Sequence, residues 1–258
     1  MKDNEQYDVL FLGISHARNF SRHRNHELIE KITNKKVINL GQGGGICGVN
    51  EQKFYLQYFY RKKNKAKNVL FILSPPLMYS ETLPIASNTF EEEVFSIDFF
   101  INYLLFKSEN KSERIIEYIR SKLTKKWLLT QPHSKENEST FLTSVDMKIV
   151  KEGFVAAYGD SLSHTRFTKS CETVESIIEE TKTNDSKIIF IFPPAPFGKW
   201  PGHKSCIEFA KKMELKYGCK YYDFSEAITT PAYYYDHHHL NSKGVEYFAR
   251  TFLNPIIN

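Results

Sequence analysis

Short apolar runs recur along the chain, and each ends at a glycine, a proline or a polar turn. Runs of this length and apolar content are typical of strands buried inside a parallel sheet. Stretches with a helical spacing of apolar residues separate them. The predicted strands cover residues 9–12, 36–40, 68–73, 187–192 and 220–224. The alternation predicts an α/β fold with a doubly wound, mainly parallel, five-stranded sheet.

The alternation is interrupted after the third predicted strand, between residues 81 and 165. Within this segment, residues 95–106 are strongly apolar and residues 115–129 are amphipathic, so both predict helices. Residues 131–140 are polar and predict a flexible stretch. We expect a single domain over residues 1–258, in which 81–165 forms a helical insertion or lid. This insertion either selects the substrate or packs as a plain subdomain.

The composition indicates one folded domain with a sizeable core. Hydrophobic residues make up 41% of the chain and aromatic residues 14%, which is too much apolar material for a disordered chain. The formal charge of +5 is scattered, as on a solvated surface rather than a nucleic-acid interface. The first residues are polar, and no apolar run approaches the roughly 18 residues of a membrane span. We therefore expect a cytoplasmic protein that binds no nucleic acid.

Motifs for metals and cofactors are weak. The four cysteines have neither the spacing of a disulfide framework nor that of zinc ligands. The glycine block at 41–45 lacks the ending of a phosphate-binding P-loop and matches the dinucleotide fingerprint only in part. We therefore expect no metal and no cofactor. Glycines at this place instead let backbone N–H groups approach a ligand closely, as an oxyanion hole requires.

The first candidate for chemistry is Ser15, in the sequence Gly-Ile-Ser-His directly after the first predicted strand. In open parallel sheets, functional groups collect at the carboxyl ends of the strands, where helix amino termini add positive potential. A serine there is often an ordinary helix cap. It becomes a nucleophile only when a base removes its proton, so Ser15 needs a partner from elsewhere in the chain.

That partner is predicted in the sequence Asp-His-His-His-Leu-Asn at residues 236–241. A carboxylate three residues before an imidazole can fold back to hold the ring's Nδ1–H, which leaves Nε2 to face a nucleophile. Asp236 and His239 have this spacing. Three consecutive histidines are also compatible with a surface turn, or with a metal site built on Asp236, His237 and His239.

Taken together, these blocks resemble the SGNH, or GDSL-like, hydrolase superfamily. The chain has a Gly-x-Ser block near its start, a glycine block after the second predicted strand and an Asp-x-x-His block near its end. The matched blocks cover about residues 8–20, 37–48 and 232–246. The resemblance implies a flavodoxin-like sheet, with Ser15 as nucleophile, His239 as base and Asp236 as the acid that orients the base.

The resemblance also implies an oxyanion hole, and here the chain departs from the family pattern. The asparagine usual after the third strand is replaced by Leu-Ser-Pro-Pro at residues 73–76. Losing one oxyanion donor commonly costs about 10²–10³ in turnover. The candidate donors are the backbone amides of Ser15 and Gly44, with Ser74 as a replacement. Weaker candidates for substrate contacts are His16, Gly43 and His238.

The opening Gly-Ile-Ser-His resembles branches of the superfamily that are associated with acyl groups on polysaccharides and cell-envelope glycans. The resemblance therefore implies a serine-dependent hydrolase that removes acetyl or similar groups from a carbohydrate or another small ester. An O-acyltransferase would use the same Ser-His-Asp site, because only the acceptor differs. A non-catalytic glycan-binding module stays open, since the asparagine is missing and Trp200 and residues 233–235 predict an aromatic rim.

Overall fold

Five parallel strands form one sheet at the centre of the molecule. The computed structural model describes residues 1–42, 48–80, 90, 93–106, 111–124 and 141–258. The strands are β1 Gln6–Gly13, β2 Val37–Asn39, β3 Lys65–Ile72, β4 Lys187–Phe192 and β5 Lys220–Asp223. Their order is β2-β1-β3-β4-β5, and all four neighbouring pairs are parallel. The predicted α/β class and parallel sheet are confirmed, and the order is that of a flavodoxin-like fold.

Helices connect the strands. They are α1 Ser15–Arg18, α2 Asn25–Thr33, α3 Val49–Arg61, α4 Pro75–Tyr79, α5 Ile97–Leu105, α6 Lys111–Leu123, α7 Met147–Tyr158, α8 His164–Thr183, α9 His203–Tyr217, α10 Ser242–Phe248 and α11 Asn254–Ile257. A π-helical stretch, Ala249–Leu253, joins α10 to α11. Short 3₁₀ helices lie at Arg22–Arg24 and Pro231–Tyr233.

The core lies in two layers, one on each face of the sheet. Along β1, Leu10 and Leu12 belong to the layer formed with α3, α8 and α9, whereas Val9 and Phe11 belong to the layer formed with α2, α10 and α11. Successive side chains of a strand point to opposite faces, so a strand with both faces buried is apolar throughout. The sheet is therefore doubly wound, and its carboxyl edge stays open for a site.

In the region predicted as an insertion, the described residues include helices α5, α6 and α7. Helix α8 begins at His164, so the last two residues of the predicted range 81–165 belong to this helix. The polar stretch 131–140 lies outside the described residues, and the role of this region as a lid stays a prediction. Within the described ranges, no helix has both the length and the hydropathy needed to cross a membrane.

Candidate active site

The end of β1 places Ser15 at the carboxyl edge of the sheet. Gly13 ends this strand with φ +136°, and a Cβ there would lie 2.8 Å from the carbonyl oxygen of Ile72 in the neighbouring strand. Its backbone N–H donates to Oε1 of Gln52 on α3 at 2.7 Å. Only glycine fits this turn without strain. The chain then enters α1 with Ser15 as its first residue.

A tight loop near the other end of the chain holds the predicted acid and base. Tyr234 and Leu240 form an antiparallel bridge, and the backbone N–H of Tyr235 donates to the carbonyl oxygen of His239 at 3.1 Å. The fully buried Tyr234 anchors the loop, because its hydroxyl donates to the carbonyl oxygen of Ile228 at 2.6 Å. The loop 235–239 is thereby closed at its base.

Asp236 and His239 form a hydrogen-bonded pair inside this loop. Nδ1 of His239 lies 2.7 Å from Oδ2 of Asp236, and the backbone N–H groups of His238 and His239 donate to Oδ1 at 2.9 and 2.7 Å. Burial alone would raise the pKa of Asp236, but the hydrogen bonds and the charges of both imidazoles hold this pKa well below its usual range. The carboxylate therefore stays ionised and accepts from Nδ1–H.

This pairing leaves the other ring nitrogen of His239 available. Nε2 is buried and has no hydrogen-bond partner among the described residues. The ring of Tyr235 stacks on the imidazole, with centroids 5.4 Å apart and planes inclined by 7°. A ring fixed at Nδ1 and packed on one face presents Nε2 in one direction, which is the arrangement that a general base requires.

The structure brings the two ends of the chain together at this loop. Nδ2 of Asn19, directly after α1, donates to the carbonyl oxygen of Leu240 at 2.9 Å. The ring of His16 lies against that of His239, with centroids 5.2 Å apart. No hydrogen bond joins Oγ of Ser15 to Nε2 of His239. Catalytic hydrogen bonds in empty sites are often long and tighten only when substrate binds.

A group of aromatic and imidazole rings surrounds the pair. The ring of His16 contacts those of His238 and Trp200, with centroids 5.6 and 6.2 Å apart, and Trp200 also contacts His238 at 5.6 Å. Burial and the charges of His239 and His238 hold the pKa of His16 well below its usual value. Burial and the charge of His239 lower the pKa of His238 to about 4. Both rings are therefore neutral near pH 7.

Asp236, His238 and His239 form a group that could hold a metal ion, since their ligand atoms lie within 4.8 Å of one another. His237, named above in the metal alternative, lies outside this group, and its Nε2 accepts a hydrogen bond from the backbone N–H of Asp146. The 2.7 Å between Asp236 and His239 is the length of a hydrogen bond. The group is therefore best described as a hydrogen-bonded network.

The oxyanion candidates fall into two groups. Gly43 and Gly44 lie outside the described residues, so their part stays a prediction. Ser74 follows β3, which pairs with β1 in a register that sets Ile72 opposite Gly13. It is fully buried as the N-cap of α4, and its hydroxyl has no hydrogen-bond partner in the described part of the chain. Ser74 thus lies at the same edge of the sheet as Ser15, with an unused hydroxyl.

Several residues of this site were not found from the sequence. Gln52 fixes the end of β1, and Asn19 ties α1 to the loop after His239, although neither belongs to a motif. The signal for Asn19 was weak: it lies one helical turn after Ser15. The predicted aromatic rim is wrong for Tyr234 and Trp200, because both side chains are buried. Their neighbours in the fold, not their local sequence, decide their exposure.

Structural similarity is found among solved proteins, but not among family models or curated proteins. No family model matches the chain, and no curated protein matches it. A solved structure from Bacteroides fragilis, described as that of a "putative acylhydrolase", matches with a TM-score of 0.45 and 12% sequence identity. The match covers 100% of this chain and 92% of that one.

Proposed function

We propose that this chain is a serine-dependent acyl-ester hydrolase of the SGNH type, with Ser15 as nucleophile, His239 as base and Asp236 as the group that orients the base. The observation that carries the proposal is the 2.7 Å hydrogen bond between Asp236 and Nδ1 of His239, which leaves a buried Nε2 without a partner. The same ring lies against His16, the residue next to Ser15.

The proposed reaction begins with the serine hydroxyl. Nε2 of His239 takes the proton from Oγ of Ser15 while Oγ bonds to the ester carbonyl carbon and the carbonyl oxygen becomes an oxyanion. When the oxyanion collapses, the bond to the alcohol oxygen breaks, and His239 returns the proton to that alcohol. Water or another hydroxyl then attacks the acyl-serine by the same steps in reverse. Asp236 stabilises the imidazolium but keeps its negative charge throughout.

The oxyanion needs donors that do not have to reorganise during the reaction. As the first residue of α1, Ser15 has a backbone N–H that no carbonyl of the helix can accept. This amide is the first donor in our proposal. Gly44 and Ser74 are the further candidates, and removal of one good donor commonly costs about 10²–10³ in turnover.

For the substrate, we propose a small acyl ester, with an acetylated carbohydrate as the preferred class. The support is the neutral, polar character of the groups beside the pair, His16 and His238, which suits a neutral substrate better than an anion. Transfer of the acyl group to a carbohydrate hydroxyl would use the same acyl-serine. Hydrolysis and transfer therefore differ only in which hydroxyl enters the site.

The test is a pair of serine variants assayed with p-nitrophenyl acetate and with an acetylated sugar. Ser15→Ala should lower kcat by at least about 10³-fold, since it removes the nucleophile. Ser21→Ala is the matched control, because Ser21 lies nearby but its hydroxyl donates to the carbonyl oxygen of Arg18. It should retain activity within a few-fold. Circular dichroism establishes that both variants fold.

Two outcomes would contradict the proposal. Unchanged turnover in Ser15→Ala would remove Ser15 from the mechanism. Equal losses in Ser15→Ala and Ser21→Ala would show that the region matters only for folding. A fluorophosphonate probe, followed by mass spectrometry of the labelled peptide, gives a second measurement, and the label is expected on Ser15.

A further inference from the structure

Unsatisfied polar atoms are concentrated at one place in the molecule. In the part of the chain that the structure describes, seven buried side-chain nitrogen or oxygen atoms have no hydrogen-bond partner. Four of them belong to His16, Trp200 and His239, whose rings are linked by contacts through His16. Buried polar groups are nearly always paired, and leaving one unpaired destabilises the fold. A concentration of them at a candidate active site therefore indicates that a ligand supplies the missing partners.

The chemistry of these atoms defines what that ligand must offer. The indole Nε1–H of Trp200 is a donor only. The neutral ring of His16 has one donor and one acceptor nitrogen, and Asp236 engages Nδ1 of His239, which leaves Nε2 for a ligand. Neither the indole nor a neutral imidazole offers the full positive charge that an anion would need. The site suits a neutral ligand with several oxygens, some of which carry hydrogen.

We propose that His16 and Trp200 form a subsite that recognises a free hydroxyl on the alcohol part of the ester, beside the bond that is cleaved. The preferred substrate is then a partly acylated polyol, such as an acylated glycerol or sugar, rather than a simple alkyl ester. This inference rests on the proposed function, since it takes Ser15 and His239 as the reacting pair. The substrate hydroxyl accepts from one of the two N–H groups and donates to the free imidazole nitrogen of His16.

The burial of the two side chains supports a fixed subsite. His16 is 6% exposed and Trp200 is 7% exposed. The rings of Phe154 and Phe197 pack on Trp200, with centroids 5.2 and 5.1 Å from it. Packing on several sides prevents the indole from turning its N–H toward water. Ser15 and His238, which adjoin the cluster, are partly exposed.

The experiment compares two acetates of similar size, glycerol monoacetate and propyl acetate, of which only the first carries free hydroxyl groups. Trp200→Phe removes the N–H and keeps an aromatic ring. We expect it to lower kcat/KM for glycerol monoacetate about tenfold and to leave propyl acetate within about twofold, the size of one neutral hydrogen bond. His16→Phe should shift the ratio of the two substrates in the same direction.

Phe197→Leu is the matched control, because Phe197 packs on Trp200 but has no polar side-chain atom. It should change both substrates equally. Equal losses for the two esters in Trp200→Phe and His16→Phe would overturn the subsite and assign these residues to packing. Binding of glycerol monoacetate to Ser15→Ala, measured by saturation-transfer NMR with and without Trp200→Phe, separates this inference from the reaction. If Ser15→Ala keeps full turnover while Trp200→Phe still weakens binding, the proposed mechanism fails and the subsite stands.

Discussion

In the described part of the chain, two histidine–aspartate pairs at the carboxyl edge of the sheet are joined by hydrogen bonds shorter than 3 Å, and they differ in which ring nitrogen meets the carboxylate. In the pair described above, Asp236 accepts from Nδ1 of His239. In the second pair, Oδ2 of Asp223, at the end of β5, lies 2.9 Å from Nε2 of His203, the first residue of α9. The two hydrogen bonds have similar lengths, but Nδ1 is used in His239 and Nε2 in His203.

This difference supports our proposal that the pair of Asp236 and His239 is reactive, and it suggests a structural role for the pair of Asp223 and His203. His239 keeps its outer nitrogen, Nε2, without a partner, whereas His203 uses that nitrogen on its carboxylate. The ring of His203 also packs on Phe192, with centroids 5.6 Å apart. The second pair thus ties the start of α9 to the end of β5. A contact between a histidine and a carboxylate is therefore not enough for a general base, which also needs a ring nitrogen left free for a substrate or nucleophile.

The strongest way to break this comparison is to remove each histidine in turn. His239→Ala should lower kcat by at least about 10³-fold, because it removes the base. His203→Ala should keep kcat within roughly threefold but lower the free energy of unfolding by about 2 kcal/mol, since it removes a charge-assisted hydrogen bond of Asp223. Ester turnover and urea denaturation measure both. A comparable loss of turnover in the two variants would contradict the distinction.

A second, smaller effect concerns two glycine turns, one at the end of β1 beside Ser15 and one before β5, which ends at Asp223. Gly13→Ala should lower the free energy of unfolding by about 3 kcal/mol, because the added Cβ meets the carbonyl oxygen of Ile72 and φ is +136°. Gly218 precedes β5 with φ +72° and has nothing within 4 Å of an added Cβ. Gly218→Ala should therefore cost only about 1 kcal/mol. Chemical denaturation measures the free energy of unfolding of both variants. Equal losses of this free energy would show that the turn at the end of β1 is not strained.

The third prediction compares the two pairs by the pH dependence of folding stability. Burial and the charge of His239 lower the pKa of His238 to about 4 in the folded protein, whereas the unfolded chain takes up this proton near the ordinary pKa of 6.5. Stability should therefore fall as the pH drops from 6.5 toward 4. Near the second pair, burial would raise the pKa of Asp223, but hydrogen bonds from His203 and Ser225 lower it to about 2. The contribution of Asp223 to folding stability is therefore present above pH 3.8 and is lost only as the pH falls toward 2.

Thermal unfolding at a series of pH values tests this separation. His238→Gln should flatten the loss of stability between pH 6.5 and 4, whereas Asp223→Asn should leave that part of the curve unchanged. His164→Gln, at an exposed histidine, is the control. An unaltered slope in His238→Gln would show that another group causes the loss.

The sheet was predictable because the strands are buried on both faces and therefore appear as continuous apolar runs. The predicted boundaries of the elements were wrong where the residues are only partly buried. Strands β1 and β3 start at Gln6 and Lys65, three residues before the predicted starts at 9 and 68, because ladder hydrogen bonds continue through polar, partly exposed residues. Helix α8 likewise begins at a polar turn, where the hydroxyl of Ser163 accepts from the backbone N–H of Arg166.

The site was predictable only where its geometry is local. Asp236 and His239 are three residues apart, so one turn of chain decides their contact. Trp200, His16 and the tie between Asn19 and Leu240 depend on contacts between distant segments, which no spacing reveals. The second pair shows the same limit, because His203 and Asp223 are 20 residues apart. Only the packing of α9 on β5 brings them together.

The bond from Asn19 to Leu240 joins residues that are 221 positions apart, and this separation has a consequence during synthesis. Synthesis runs from the amino end, so the ribosome makes Ser15 long before His239, and a nascent polypeptide carries the proposed nucleophile before its proposed base. Under the proposed mechanism, ester cleavage can begin only after the segment with His239 has been made and has docked beside α1.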